Sequence, residues 1–307
     1  MGKIAFIFPG QGSQYVGMVK DIFENSQKAR ELFTEAEDAI GFNISKIMFD
    51  GPADDLRQTD VTQPAIFLHS VVLNSLIESI KPDMVAGHSL GEYSSLVCAG
   101  GIKFVDAFKL VRVRGQAMLQ AGNEQKGTMA AIVGLPADKV VDICANISKE
   151  NIVQCANFNS PGQIVISGSI NGVHKAMEVC KSEGAKLVKE LVVSGAFHSP
   201  LMESAKTSFK QKLDETIIND ITIPLYPNVT AAPTLIAKEI GKLLFDQLTA
   251  PVRWEETINS MVNDGADTFI EIGPSNVLQG LTKRINPNVK SIGIDKYADL
   301  EKLLTLY

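Results

Sequence analysis

Cysteine is scarce in this chain: four in 307 residues, at positions 98, 144, 155 and 180, with no C-x-x-C spacing. That pattern argues against a disulfide framework or a cysteine-based zinc site and fits a reducing cytoplasm. Histidine is as rare, with four, so few imidazoles are on hand for chemistry. Positive charge is in deficit. Lys and Arg number 29 against 35 Asp and Glu, a formal net charge of −6, which argues against a general nucleic-acid binder. Membrane-spanning apolar runs are missing as well. The uncharged stretch from Val61 to Ile77 carries Gln63, Pro64, His69 and Asn74 and is too polar to cross a bilayer. Strand-like sequence begins by Ile4 with no basic, then apolar, leader before it, so no signal peptide is expected. No repeat or low-complexity segment appears.

What is present is 45% hydrophobic composition over a length ample for a large core. Lys3–Phe8 is a short apolar run, expected as a strand covered on both faces. It ends in Pro9-Gly-Gln-Gly-Ser-Gln14. No Gly-Lys-Ser/Thr follows, and Tyr15 stands where a third glycine would be, so neither a phosphate loop nor a dinucleotide fingerprint fits. A turn presenting Gln11 at a strand end survives. Helical spacing follows from Ile22 to Ile40, closed by Gly41. A second helix is expected with Thr62 as cap and Pro64 in its first turn. His69 lies on that helix's apolar stripe and is expected as a hydrogen-bonded core residue.

The stretch Asp83-Met-Val-Ala-Gly-His-Ser-Leu-Gly-Glu-Tyr93 organises the rest. A buried strand end runs into G-x-S-x-G and then into helix-like sequence. A sharp strand-to-helix turn projects the central Ser89, and only glycine tolerates the crowding on either side. Backbone N–H groups at the helix start can then hold a developing oxyanion. The plain alternative is a glycine-rich turn with a capping serine.

From residue 126 to 195 the style changes. The pattern is β-α-β-β-α-β, with Ser160-Pro-Gly162 as a hairpin signal, which is ferredoxin-like. Past His198 strands and helices alternate again, including an expected strand at Ile223–Val229. The expected fold is therefore α/β, with a mostly parallel sheet formed by 1–125 and 196–307 and a small inserted subdomain at 126–195. Ligands in such sheets sit at the carboxyl ends of the strands, where Gln11 and Ser89 both fall.

A serine nucleophile needs a base. His88 adjoins Ser89 and points elsewhere if Ser89 points out. His69 is a core residue and His174 a solvated helix residue. His198, in a Gly- and Pro-flanked loop after the insert's last strand, is left by elimination. No Asp or Glu lies within three residues of it, so a third triad member cannot be picked, and a backbone carbonyl could orient the ring instead. Arg114 sits among Ala107, Leu110, Val111, Ala117, Met118 and Ala121 on the apolar side of a helix. A guanidinium there keeps its proton and requires an anion, either an internal Asp or Glu or a carboxylate supplied by a substrate.

These residues match a known pattern. Phe8-Pro-Gly-Gln-Gly-Ser-Gln14, Thr62-Gln-Pro-Ala65, Gly87-His-Ser-Leu-Gly-Glu-Tyr93, Arg114-Gly115, Asn157-Phe-Asn-Ser-Pro-Gly-Gln163, Ala196-Phe-His-Ser199, Pro227-Asn-Val-Thr230, Pro251-Val-Arg-Trp254 and Glu271-Ile-Gly-Pro274 occur in order. Together they resemble the bacterial malonyl-CoA:acyl-carrier-protein transacylases, from the first strand to about Ile285. The resemblance implies an α/β-hydrolase-like core, with Ser89 as nucleophile and His198 as base. It implies Arg114 as the partner of the malonyl carboxylate, Gln11 and Leu90 at the oxyanion site, and the backbone carbonyl of Gln247 behind the histidine. It further implies malonyl-CoA and acyl carrier protein as substrates in fatty acid biosynthesis, no metal and no resident cofactor. A monomer without nucleic-acid or membrane partners is expected. Carrier proteins of this family are acidic, so Lys181, Lys186, Lys189, Lys283 and Arg284 are candidates for a basic docking patch. A serine hydrolase or thioesterase shares the nucleophile and base but gives Arg114 no purpose. A non-enzymatic carrier-binding module would make Ser89 dispensable. The same chemistry serving a polyketide pathway is a third alternative.

Overall fold

The computed structural model describes residues 2–304. Four strands form a parallel sheet: β1 (Lys3–Phe8), β2 (Met84–Gly87), β7 (Ala266–Ile272) and β8 (Lys290–Ile294), in the order β2-β1-β7-β8. Helices cover both faces, so β1 and β2 carry Phe6, Phe8 and Val85 into one core and Ala5, Ile7, Met84 and Ala86 into another. Alternation of side chains across the pleat explains why both sets are apolar.

A second sheet is antiparallel: β3 (Gly127–Val133), β4 (Val153–Ser160), β5 (Gln163–Ser169) and β6 (Leu187–Glu190), in the order β4-β5-β3-β6. The helices Ala137–Ile147 and Ile170–Ser182 pack on it and enclose a separate core around Ile132, Val140, Ile166 and Val173. This is the β-α-β-β-α-β arrangement expected from the sequence. Its first strand leaves the helix Phe104–Glu124, and the chain beyond β6 returns to the parallel-sheet unit through His198.

Three local expectations differ from the structure. The strand expected at Ile223–Val229 is reduced to a bridge of Leu225 to Val85 and to Thr234. Pro224 and Pro227 bracket it, and neither can donate to a ladder. The helix expected to start at Thr62 runs Thr59–Leu76, with Pro64 inside it. Pro64 cannot donate to Asp60 O, and the guanidinium of Arg112 occupies that carbonyl instead. The Ile22–Ile40 segment is two helices, Lys20–Asn25 and Gln27–Ile40, broken at Ser26, whose hydroxyl caps the second by accepting from Ala29 N at 3.2 Å.

Candidate active site

Two adjacent strand ends build the site. β1 delivers the Pro9–Gln14 loop and β2 delivers the Gly87–Gly91 turn, joined where His88 N donates to Phe8 O at 2.9 Å. Ser89 sits in the left-handed region at φ 52°, which costs a non-glycine residue energy and turns its side chain outward. The flanking glycines are steric necessities. A Cβ on Gly87 would lie 1.8 Å from Gly91 C, and one on Gly91 would lie 2.1 Å from Phe8 O.

Ser89 Oγ lies 2.8 Å from His198 Nε2, and His198 Nδ1 lies 2.9 Å from Gln247 O. A carbonyl can only accept, so Nδ1 carries the proton and Nε2 is left as the acceptor for the serine hydroxyl. Among the described residues no carboxylate bonds the imidazole. His198 is 4% exposed. Burial, and then the nearby Arg114 charge, push its pKa down to about 3. The ring is therefore a neutral base at physiological pH.

Arg114 is 1% exposed and reaches the same serine. Nη1 donates to Gln63 Oε1 at 2.7 Å, and Nη2 donates to Gln247 Oε1 at 2.8 Å and to Ser89 Oγ at 3.0 Å. The face of the Tyr93 ring lies 5.5 Å away. Arg114 Nε has no hydrogen-bond partner. No Asp or Glu forms an ion pair with Arg114 among the described residues. No direct salt bridge of the kind left open by the sequence forms among the described residues; two neutral amides hold the guanidinium, and the buried Glu92 acts on it only through its field. Burial lowers the guanidinium pKa, yet so strong a base keeps its charge. A buried cation with only neutral acceptors beside a nucleophile can take a carboxylate.

Gln247 is fully buried and touches three groups at once: its backbone carbonyl faces His198, its Oε1 faces Arg114, and its Nε2 donates to Ser89 O at 3.0 Å. Gln11 is exposed, with a long 3.5 Å contact from Nε2 to Thr59 Oγ1, and Leu90 is buried. Both line a cavity of about 330 Å³ with Ser89, Arg114 and His198. Its apolar wall includes Met129 and Val165 from the antiparallel sheet and Leu281 from the parallel-sheet unit. The cavity thus opens between the two sheets.

Of the other histidines only His88 also lines the cavity, and its ring is engaged away from Ser89. His88 is bound to Asn159 Oδ1 at 2.9 Å and packs against Trp254. His69 is buried with Nε2 at 2.9 Å from Asp295 O, and His174 is exposed beside Glu190. Sequence reasoning gave no part to Gln63, Asn228 or Glu92, although all three lie within the motifs quoted above. Among the described residues no group of His, Cys, Asp and Glu is placed to hold a metal ion, and no helix is long and apolar enough to cross a membrane.

The family described as acyl transferase domain matches residues 5–294. The malonyl CoA-acyl carrier protein transacylase of Bacillus subtilis is 45% identical over 304 residues, covering 98% of this chain and 96% of that protein. The enzyme of the same name from Staphylococcus aureus is 42% identical over 302 residues, covering 98% of each. The fold superimposes on the acyl carrier protein S-malonyltransferase of Vibrio cholerae with a TM-score of 0.95 and 40% identity, covering 98% and 99% of the two chains. A malonyl-transacylase solved in complex with a type II PKS acyl-carrier protein gives a TM-score of 0.96 and 37% identity, covering 99% and 100%.

Proposed function

This chain belongs to the acyl transferase family, and we propose that it moves a malonyl group from malonyl-CoA to the phosphopantetheine thiol of an acyl carrier protein in fatty acid biosynthesis. The observation that carries the reading is one serine oxygen hydrogen-bonded both to a neutral imidazole and to a buried arginine that forms no ion pair among the described residues. A hydrolase needs the first contact but not the second.

The reaction is a two-step exchange on Ser89. As Oγ bonds to the malonyl thioester carbon, its proton passes to His198 Nε2, 2.8 Å away. The carbonyl oxygen becomes an oxyanion facing the backbone N–H groups of Gln11 and Leu90. Collapse breaks the C–S bond, and the CoA sulfur leaves with the proton held by His198. The carrier thiol then gives its proton to the same nitrogen and attacks the serine ester; collapse breaks the serine C–O bond, and Ser89 Oγ takes the proton back from His198. Throughout, Arg114 holds the free carboxylate of the acyl group. Gln247 O holds the Nδ1 proton, so His198 cycles between neutral and cationic forms without a carboxylate. Malonyl-CoA is consumed as a substrate, and the scheme uses no metal or resident cofactor.

We treat residues 1–125 and 196–307 as the catalytic unit and 126–195 as a subdomain that walls the cavity. We further propose a monomer in the cytoplasm, the four free cysteines supporting a reducing compartment. For carrier docking we favour Arg284, exposed and bound to Gln163 Oε1 at 2.5 Å, because Gln163 lines the cavity.

Incubation with malonyl-CoA and a holo carrier protein should yield malonyl-carrier far faster than free malonate. Malonate as the main product would make the chain a hydrolase, and no reaction would make it a binder. His198→Ala should lower the loading rate by about 10²- to 10⁴-fold. In the wild type, the depressed His198 pKa should keep kcat/KM for loading flat from about pH 8 to about pH 5, with no half-loss near 6.5. The sign follows from neutrality: the base works while unprotonated, and its folded pKa lies below its unfolded one. Its contribution to stability is therefore complete above about 6.5 and lost as pH falls towards the folded value, so acid inactivation should coincide with unfolding by circular dichroism. An acid limb at 6.5 in a folded protein would remove His198 as the base.

A further inference from the structure

Pro227-Asn-Val-Thr230 is a motif to which neither the chemistry above nor the sequence gives a task. Its asparagine is fully buried, and all four of its polar groups are bonded. Asn228 Nδ2 donates to Gly87 O at 2.7 Å, and Asn228 Oδ1 accepts from Ser89 N at 2.7 Å. Its backbone N donates to Glu92 Oε1, and its backbone O accepts from Arg253 N at 3.1 Å. We propose that Asn228 is a positioning residue that clamps the turn from Gly87 to Ser89 and so aims Ser89 Oγ at His198. This rests on the reading of Ser89 as the nucleophile.

The physical argument starts from Ser89 at φ 52°. A non-glycine residue in that region is held only where its surroundings over-determine it. A carboxamide presents an N–H donor beside a carbonyl acceptor, as a peptide group does, so it can sit beside a bent backbone where no strand neighbour reaches. Asn228 does this at the two ends of the Gly87–Ser89 turn. Glu92 closes the frame from the first turn of the helix Gly91–Cys98, because it holds the backbone of Asn228 in place. The strand end, the buried asparagine and the helix start therefore form one rigid loop of contacts.

A second consequence concerns the oxyanion. Ser89 N is occupied by Asn228 Oδ1 and cannot turn to a substrate. The neighbouring Leu90 N has no protein acceptor among the described residues. The clamp thus fixes which of two consecutive N–H groups faces the cavity.

The test compares Asn228→Ala, Asn228→Asp and a control in the same segment, Tyr226→Phe. The control removes a hydroxyl that donates to Asp264 Oδ2 at 2.6 Å, away from the cavity. The readouts are the second-order rate of Ser89 labelling by a fluorophosphonate, kcat and KM for malonyl-CoA, and the thermal melt. Asn228→Ala should lose about 100-fold in labelling and in kcat with KM within about threefold, the scale of a misplaced reacting group. Asn228→Asp keeps an acceptor for Ser89 N but, when ionised, no donor for Gly87 O, so its loss should be intermediate. Tyr226→Phe should lower the melting temperature while labelling stays at the wild-type rate. Losses that track the melting temperature across all three variants would make Asn228 merely structural and overturn the proposal. If the alanine variant does not fold, the aspartate variant decides: wild-type labelling by it overturns the clamp. A wild-type protein unlabelled at Ser89 would remove the nucleophile reading and the clamp with it, whereas a folded Asn228→Ala labelled at the wild-type rate removes the clamp alone.

Discussion

Ser89→Ala is expected to form no acyl-enzyme while remaining folded. The hydroxyl is the only atom removed, and it exchanges hydrogen bonds with His198 and Arg114, which keep Gln247 as a common partner. Alanine keeps the same strained φ, so the change in stability should stay within about 1 kcal/mol. Loading should fall to the uncatalysed level, because nothing else in the cavity combines a nucleophilic oxygen with a base at 2.8 Å. Intact mass after incubation with malonyl-CoA checks this. A malonyl adduct on the variant would mean that the nucleophile lies elsewhere.

Arg114→Ala is expected to collapse the preference for malonyl over acetyl. Acetyl-CoA has the same thioester and no second carboxylate. In the wild type an acetyl group leaves the buried guanidinium with neutral partners only, whereas a malonyl carboxylate can engage it with charge-assisted bonds. Such a contact is worth roughly 1.5–3 kcal/mol, or about 10- to 150-fold in the malonyl/acetyl ratio of kcat/KM. Removing Arg114 should reduce the ratio by about that factor. Acetyl loading should fall somewhat as well, because Arg114 Nη2 also donates to Ser89 Oγ at 3.0 Å. Arg114→Lys should recover part of the ratio, since a point charge cannot reproduce the planar fork. Gln63 Oε1 and Gln247 Oε1 lose a donor in the alanine variant, so a thermal melt must accompany the kinetics. An unchanged ratio in a folded variant would assign Arg114 to holding Gln63 and Gln247 in place.

The parts of the site that were legible in the sequence are those whose chemistry is local. Gly87, Ser89 and Gly91 announce a sharp turn through their spacing alone; the crowding that demands Gly87 comes from Gly91 and Glu92 within the same motif, whereas that at Gly91 comes from the distant Phe8. His198 emerges by elimination because so few imidazoles exist. Arg114 stands out because helical periodicity places a charge among apolar neighbours. The carbonyl of Gln247 leaves no mark in side-chain chemistry, so periodicity could not reveal it, and only the resemblance implied it. Asn228 and Glu92 were illegible for a different reason. Their partners lie 136 to 141 residues apart, and a buried asparagine looks like any turn residue until its neighbours are known. The two sheets were legible from alternation and hairpin chemistry, while the expected strand at Ile223–Val229 failed because two prolines outweigh three β-prone residues.

The most direct test is to isolate the protein after brief exposure to malonyl-CoA, locate the adduct by peptide mapping, and then add holo carrier protein. The account predicts a malonyl ester on Ser89 that persists in buffer and discharges to the carrier thiol when it is added. An adduct at another residue, or one that discharges to water as fast as to the carrier, would contradict it.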